Sequence, residues 1–154
     1  MEPREPRPTC YRCHKPAALC ACARVPDVAN RTGLIILQHL RERFHPVGTA
    51  RLARLGLAHA EVHTLAGVVP PMALPDGAAL LYPTPAARPL EELTDAQRPR
   101  HLVVLDGTWH QAKRLLHDNP WIAELPAVSF SPRGPSRYRI RRQAAAHHLS
   151  TIES

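Results

Sequence analysis

Three groups of residues in this chain have types and spacings that can do chemistry. The first is CYRCHKPAALCAC, which sets Cys10, Cys13, Cys20 and Cys22 in a C-x2-C-x6-C-x-C pattern, with no cysteine afterwards. Two close pairs of thiolates can enclose a tetrahedral Zn2+ with each sulfur at ~2.3 Å. A [4Fe–4S] cluster is the rival occupant, although its common bacterial spacing differs. The C-x-C half is tighter than the usual knuckle, so an irregular site is expected. His14 is an awkward substitute ligand because it directly follows Cys13. Four protein ligands leave no open position for a substrate, which points to a structural metal. A disulfide framework would spread its cysteines to staple distant loops; this clustering argues instead for a reducing, cytoplasmic setting.

The second group lies in HLVVLDGTWHQAKRL, residues 101–115, where Asp106 and Trp109 fall between a strand and a helix. Aspartate before glycine is a common turn signal. Thr108 and Gln111, however, already form a T-x-x-Q capping box, so the helix does not need Asp106 as its cap. A carboxylate there can act as a base or face a cationic ligand. An ordinary aspartate in water is a feeble base, so burial is expected. Trp109 shares a helical face with Ala112 and Leu116, a pattern that suits core packing. It equally suits the wall of a ligand slot, where an indole stacks on a base or favours a sulfonium.

The third group is the run from Arg133 to Arg142, with five arginines and no acid. If YRIRR is extended, alternation sends Arg137, Arg139 and Arg141 to one face and Tyr138, Ile140 and Arg142 to the other. A solvated basic face is one reading. Phosphate binding is the other, because like charges this dense repel unless an anion arrives. Tyr138 adds a surface of the kind that stacks on single-stranded RNA. The whole chain carries a formal charge of +7, and all but two of its 20 basic residues are arginine. The guanidinium fork suits phosphate contact.

These groups need a scaffold, and 154 residues suffice for one compact domain. Residues 1–9 read as a disordered tail, 10–24 as the cysteine knuckle and 25–154 as an α/β domain. TGLIILQHL predicts a buried strand ending near His39. VGTARLARLGLAHA predicts a helix with Gly56 as its soft spot. EVHTLAG predicts a second strand, VVPPMALPDG a proline-rich connection, and AALLYPTP a short strand stopped at Pro83. LEELTDAQRPR predicts a short polar helix, HLVVL the strongest strand, and WHQAKRLLHDNP a helix ending at Asn119-Pro120. AVSF predicts a further strand. Alternating strands and helices imply a mostly parallel sheet with helices on both faces. Ligands then bind beyond the carboxyl ends of the strands, where Tyr82-Pro83, residues 106–109 and the chain after AVSF should form one rim.

No apolar run approaches the ~20 residues of a membrane span, and the start MEPREPRPTC has no signal-peptide core. HExxH, GxSxG, Walker and GxGxxG patterns are missing, so the sequence does not support metalloprotease, hydrolase, NTPase or dinucleotide-fold readings.

Five collinear stretches resemble the DTW domain family: CYRCHKPAALCAC, LQHLRERFHPVGTARLA, LDGTWHQAKRL, PSRYRIRRQ and LSTIES. Members of that family resemble tRNA-uridine aminocarboxypropyltransferases. The resemblance implies a SPOUT-like α/β fold whose C-terminal trefoil knot binds S-adenosylmethionine. It also implies transfer of the 3-amino-3-carboxypropyl group to N3 of a tRNA uridine, with release of 5′-methylthioadenosine. The signature aspartate and tryptophan fall on Asp106 and Trp109, which become the expected catalytic residues. Tyr82, Leu105, Thr108, Trp109, Leu149, Ser150 and Thr151 become the expected lining of the cofactor slot. Arg137, Tyr138, Arg139, Arg141 and Arg142 become the expected tRNA contacts. Relatives continue past the STIE-like motif into a helix that threads the knot. The sequence here ends at Ser154, which predicts a shortened or incomplete knot, or a pocket completed by a partner chain. The competing readings are a zinc-containing RNA-binding protein without catalysis and an S-adenosylmethionine-dependent RNA methyltransferase.

Overall fold

The computed structural model describes residues 8–45, 48–132 and 134. The strands among them are β1 (Gly33–His39), β2 (Ala60–Leu65), β3 (Ala78–Leu81), β4 (Arg88–Pro89), β5 (His101–Asp106) and β6 (Ala127–Ser129). They form one sheet in the order β2-β1-β5-β3-β6-β4, and every neighbouring pair runs parallel. The helices are α1 (Ala50–Gly56), α2 (Trp109–Asp118) and α3 (Pro120–Ala123). The α/β class expected from the alternating pattern is therefore the observed one.

The continuous apolar runs of β1 and β5 follow from burial on both faces. Ile35, Leu37, Leu65, Leu80 and Val103 form one core with Leu115 of α2 and Ile122 of α3. The opposite face is covered in two halves. Ile36 packs under Ala50 and Ala53 of α1, while Ala79 and Val128 pack under Leu93. Leu37 and Val103 are fully buried. Side chains of this kind contribute about 1.5–3 kcal/mol each through burial.

Two local expectations change. The segment LEELTDAQRPR is not a polar helix. Arg88–Pro89 pairs with β6, a 3-10 turn covers Leu90–Glu92, and Leu93 is extended. Thr94 then starts a separate turn, in which its N–H and hydroxyl both donate to Gln97 Oε1 at 3.1 Å. Burying Leu93 under the sheet outweighs helix propensity here. Gly56 is likewise more than a soft spot. A Cβ there would lie 2.9 Å from the Pro26 carbonyl oxygen and 2.9 Å from Val25 Cγ1. The glycine lets the chain leaving the knuckle press against the end of α1, where Val28 N–H donates to the Gly56 carbonyl at 2.6 Å.

Asn119, where α2 gives way to α3, is fully buried. Its Nδ2 donates to the carbonyls of Leu115 at 3.0 Å and Gly67 at 3.1 Å, and its Oδ1 accepts from Val69 N–H at 2.8 Å. The sequence reads Asn119-Pro120 only as a helix stop; the structure makes Asn119 the tether of the loop after β2.

Candidate functional site

Because the sheet is parallel, the carboxyl ends of all six strands open onto one rim. The register sets Gln38 beside Thr64 on one side and beside Asp106 on the other. Leu81 pairs with both Val104 and Val128, so the chain leaving β3 at Tyr82 emerges level with the end of β5. The expected gathering of Tyr82, Asp106, Thr108 and Trp109 at this rim is observed.

Asp106 is only 6% exposed, and Gln38, at 4%, donates from Nε2 to Asp106 Oδ2 at 2.8 Å. The amide gives the carboxylate a neutral partner and fixes its plane. Among the described residues, the buried polar side chains are Gln38, Glu42, Thr49, Asp106 and Asn119. All but Asn119 lie on β1, on the segment leaving it, or at the end of β5. Polar groups are costly to bury, so their concentration at one rim marks a site rather than a core.

The turn beyond Asp106 is built as its residues predict. Thr108 Oγ1 accepts from Gln111 N–H at 3.2 Å, and Gln111 Oε1 accepts from Thr108 N–H at 2.6 Å, completing the capping box. Gly107 serves close approach. A Cβ on it would sit 3.0 Å from both Cβ and Oε1 of Gln111, and 3.5 Å from His39 Cβ. The N-cap of α2 is thus Thr108, not Asp106.

Trp109 is 41% exposed, so it is not the core residue that its spacing from Ala112 and Leu116 allowed. It occupies the first turn of α2, past the sheet's end, and the buried residues of that helix are Ala112 and Leu115. Its indole meets the Tyr82 ring at a centroid distance of 6.0 Å and an angle of 54°. Burial pushes the Tyr82 phenol above its ordinary pKa. Leu105, like Tyr82, is half-buried against the α2-side core. The same rim thus carries an apolar and aromatic surface and a buried carboxylate, features suited to a flat or sulfonium-bearing ligand. The remaining slot residues, Leu149, Ser150 and Thr151, and the arginine group, Arg137, Tyr138, Arg139, Arg141 and Arg142, lie outside the described residues.

The four cysteines do converge. Their sulfurs all lie within 4.8 Å of one another, with Cys10–Cys22 at 3.7 Å and Cys13–Cys20 at 3.8 Å. A tetrahedron with ~2.3 Å zinc–sulfur bonds has edges of about 3.8 Å, whereas a disulfide needs about 2.05 Å. The donor set therefore fits a tetrahedral metal such as Zn2+. The local chain supports this: Thr9 pairs with Pro16, Cys10 N–H donates to the Lys15 carbonyl, and His14 N–H donates to the Cys10 carbonyl. His14 has a left-handed φ of 54°. Its ring stacks on Phe44 at 5.3 Å, and the cysteines alone complete the site.

Burial works to raise the Cys13 thiol, yet hydrogen bonds from the backbone of Ala21 and Lys15, and then from the Cys10 and Cys22 thiols, bring it down to about 6. Cys22 is pushed up to about 12 by burial and by its three neighbouring thiols. The sulfurs thus do not hold four negative charges by themselves, and a bound dication removes the conflict. Next to this cluster, Arg51 lies below its ordinary pKa because of burial and the nearby guanidiniums of Arg54 and Arg43.

Gln38 and Glu42 escape a reading of the sequence. A signal for Gln38 exists: a lone amide closing the apolar run LIIL, at the ligand end of a buried strand. No pattern singles out Glu42.

Fold and candidate site together define a parallel α/β protein with a four-cysteine knuckle that could hold a metal, and with acidic and aromatic residues gathered at the carboxyl rim of its sheet. The chain matches the DTW domain family over residues 7–154 and belongs to it. It is 32% identical over 172 residues to a tRNA-uridine aminocarboxypropyltransferase 2 of Drosophila melanogaster, covering 99% of this chain and 66% of that protein. Proteins of the same name from Macaca fascicularis and Mus musculus are 30% and 29% identical, again over 99% of this chain and over 56% of their own lengths. The chain thus spans between about half and two thirds of the length of these relatives. No solved structure matches it. Among the described residues, no helix is long and apolar enough to cross a membrane.

Proposed function

We propose that this chain is a tRNA-uridine aminocarboxypropyltransferase acting at N3 of a uridine. The observation that carries the reading is Asp106, buried at the end of central strand β5 and held by Gln38, on the rim where the exposed Trp109 meets the part-buried Tyr82. S-adenosylmethionine would supply the 3-amino-3-carboxypropyl group from its sulfonium. Uridine N3–H is weakly acidic and a poor nucleophile until its proton is drawn away. The Asp106 carboxylate accepts that proton as the N3–Cγ bond forms and the Cγ–S bond breaks, with 5′-methylthioadenosine leaving. Gln38 keeps the carboxylate oriented, so little of the barrier goes to arranging the base.

Trp109, Tyr82 and Leu105 form the wall against which the ligands lie, and Thr108 sets the turn that carries the wall. Leu149, Ser150 and Thr151 would contribute to binding S-adenosylmethionine. Arg137, Tyr138, Arg139, Arg141 and Arg142 hold the tRNA, the arginines on phosphates and the tyrosine on a base. The Zn2+ held by Cys10, Cys13, Cys20 and Cys22 is structural.

Incubating the chain with tRNA and S-adenosylmethionine labelled in the carboxypropyl group tests the reading. The expected products are labelled uridine and 5′-methylthioadenosine. S-adenosylhomocysteine instead makes the protein a methyltransferase, and tight tRNA binding with neither product makes it an RNA-binding protein without catalysis.

A further inference from the structure

The rim chemistry leaves one surface unused. At the tip of the knuckle Tyr11 is 93% exposed, and from the same turn His14 stacks on Phe44 at 5.3 Å with the ring planes 12° apart. Phe44 belongs to the segment leaving β1 and is itself 62% exposed. The Arg43 guanidinium carbon lies 5.0 Å from the Phe44 ring centroid. Imidazole, phenyl ring and guanidinium therefore make a partly open stack where the knuckle meets the segment after β1. The positive charge is concentrated around it. Arg51 on α1 feels both Arg43 and Arg54, and among the described residues none of Arg12, Arg43, Arg51 and Arg54 is in an ion pair.

An exposed aromatic stack leaves apolar surface in water, and clustered guanidiniums repel one another; folding alone rewards neither. A single ligand class relieves both, one that carries flat rings and phosphates on the same backbone. We propose that the knuckle and the segment leaving β1 form a second RNA-docking surface, on which the Arg43 guanidinium leaves Phe44 to take, with Arg51, flanking phosphates, and an unpaired base stacks on Phe44 in its place. This rests on the tRNA reading above and adds to the arginines at 137–142 a contact surface from the other end of the sequence. The metal cluster supports this surface by rigidifying the turn that presents Tyr11 and His14.

The test uses the full, metal-replete chain and measures binding of tRNA and of a single-stranded oligoribonucleotide. Phe44→Ala should weaken binding of both by about 5- to 100-fold, and Phe44→Trp should restore it. Arg43→Gln should reduce the dependence of log K on log salt by about 1. Tyr11→Ala, at a side chain too exposed to support folding, guards against a trivial loss of structure and should weaken binding in the same direction. Wild-type-like affinity in Phe44→Ala, Arg43→Gln and Tyr11→Ala overturns the surface and leaves the tRNA reading intact. Phe44-dependent binding of the oligonucleotide with no binding of tRNA keeps the surface and removes that reading. Equal, Phe44-dependent binding of polyglutamate overturns the RNA assignment in favour of an acidic partner.

Discussion

Residues 106–111 and residues 10–22 are both short, polar and chemically equipped, and they hold their shape by opposite means. The rim turn is fixed from all sides by its own fold. A parallel strand ends beneath it, Gln38 bonds its carboxylate, and the Thr108–Gln111 box caps the helix beyond it. The knuckle contributes only Cys13 to the buried apolar residues and contains short 3-10 turns where the rim has a strand and a helix. Its convergence depends on four sulfurs around a shared centre. One site is thus preorganised by packing and survives the loss of a single contact, while the other exists as long as its ligand set does.

The strongest way to break this contrast is to remove the metal. Cys13→Ser, or chelation, should abolish metal binding, a loss on the order of 10 kcal/mol for a structural zinc. Amide exchange should rise sharply across residues 8–24 and stay slow in β1 and β5. Equal acceleration in both regions would mean that the knuckle and the sheet form one cooperative unit.

Next in size is the effect on chemistry without unfolding. Asp106→Asn keeps shape and burial, so turnover should fall by about 10²- to 10⁴-fold while the thermal midpoint moves little. Full turnover in that variant would remove Asp106 as the base. A purely structural loss should follow at Asn119, where the alanine variant removes the side-chain partners of Val69 N–H and of the Gly67 carbonyl. Chemical denaturation should record about 2–3 kcal/mol, with metal content unchanged.

Smaller again is the cap. Thr108→Ala should cost about 1 kcal/mol, because the sheet and Gln38 still hold the turn; a much larger loss would show that the box, not the sheet, organises the rim. The smallest effect concerns the far end of α2. Arg114 donates to Asp118 at 2.7 Å, and this bond, with that of His117, holds the Asp118 carboxyl below its ordinary value of 3.8. A depressed carboxyl stabilises the fold above its unfolded pKa, and that contribution fades as pH falls through the folded value. The stability difference between wild type and Asp118→Asn should therefore be present at neutral pH and shrink below about pH 4.

Much of this is legible in the residues because the signals are local. The capping box, the Asp106 turn and the close cysteine pairs each sit within a few residues, where chain geometry leaves few alternatives. The polar helix expected over 90–100 does not form because burial of Leu93, a tertiary gain, overrides a weak local preference. Trp109 is ambiguous for a related reason: helical spacing places it on a face, and only the position of the sheet's end decides whether that face is covered.

Periodicity and spacing are enough to specify the α/β class, the four candidate cysteine ligands and every strand but the two-residue β4, whose Arg88–Pro89 carries no strand pattern of its own. The assembled sheet was needed to show that Gln38, 68 residues away in the chain, holds Asp106, that Tyr82 meets Trp109, and that His14 stacks on Phe44. For the rim contacts the physical reason is sheet register. Parallel pairing of β5 with β1 and β3 sets which strand ends lie level, and a one-residue slip would turn Gln38 and its neighbours to the opposite face. No local pattern in the chain encodes that choice; it is made by the burial of two apolar faces at once.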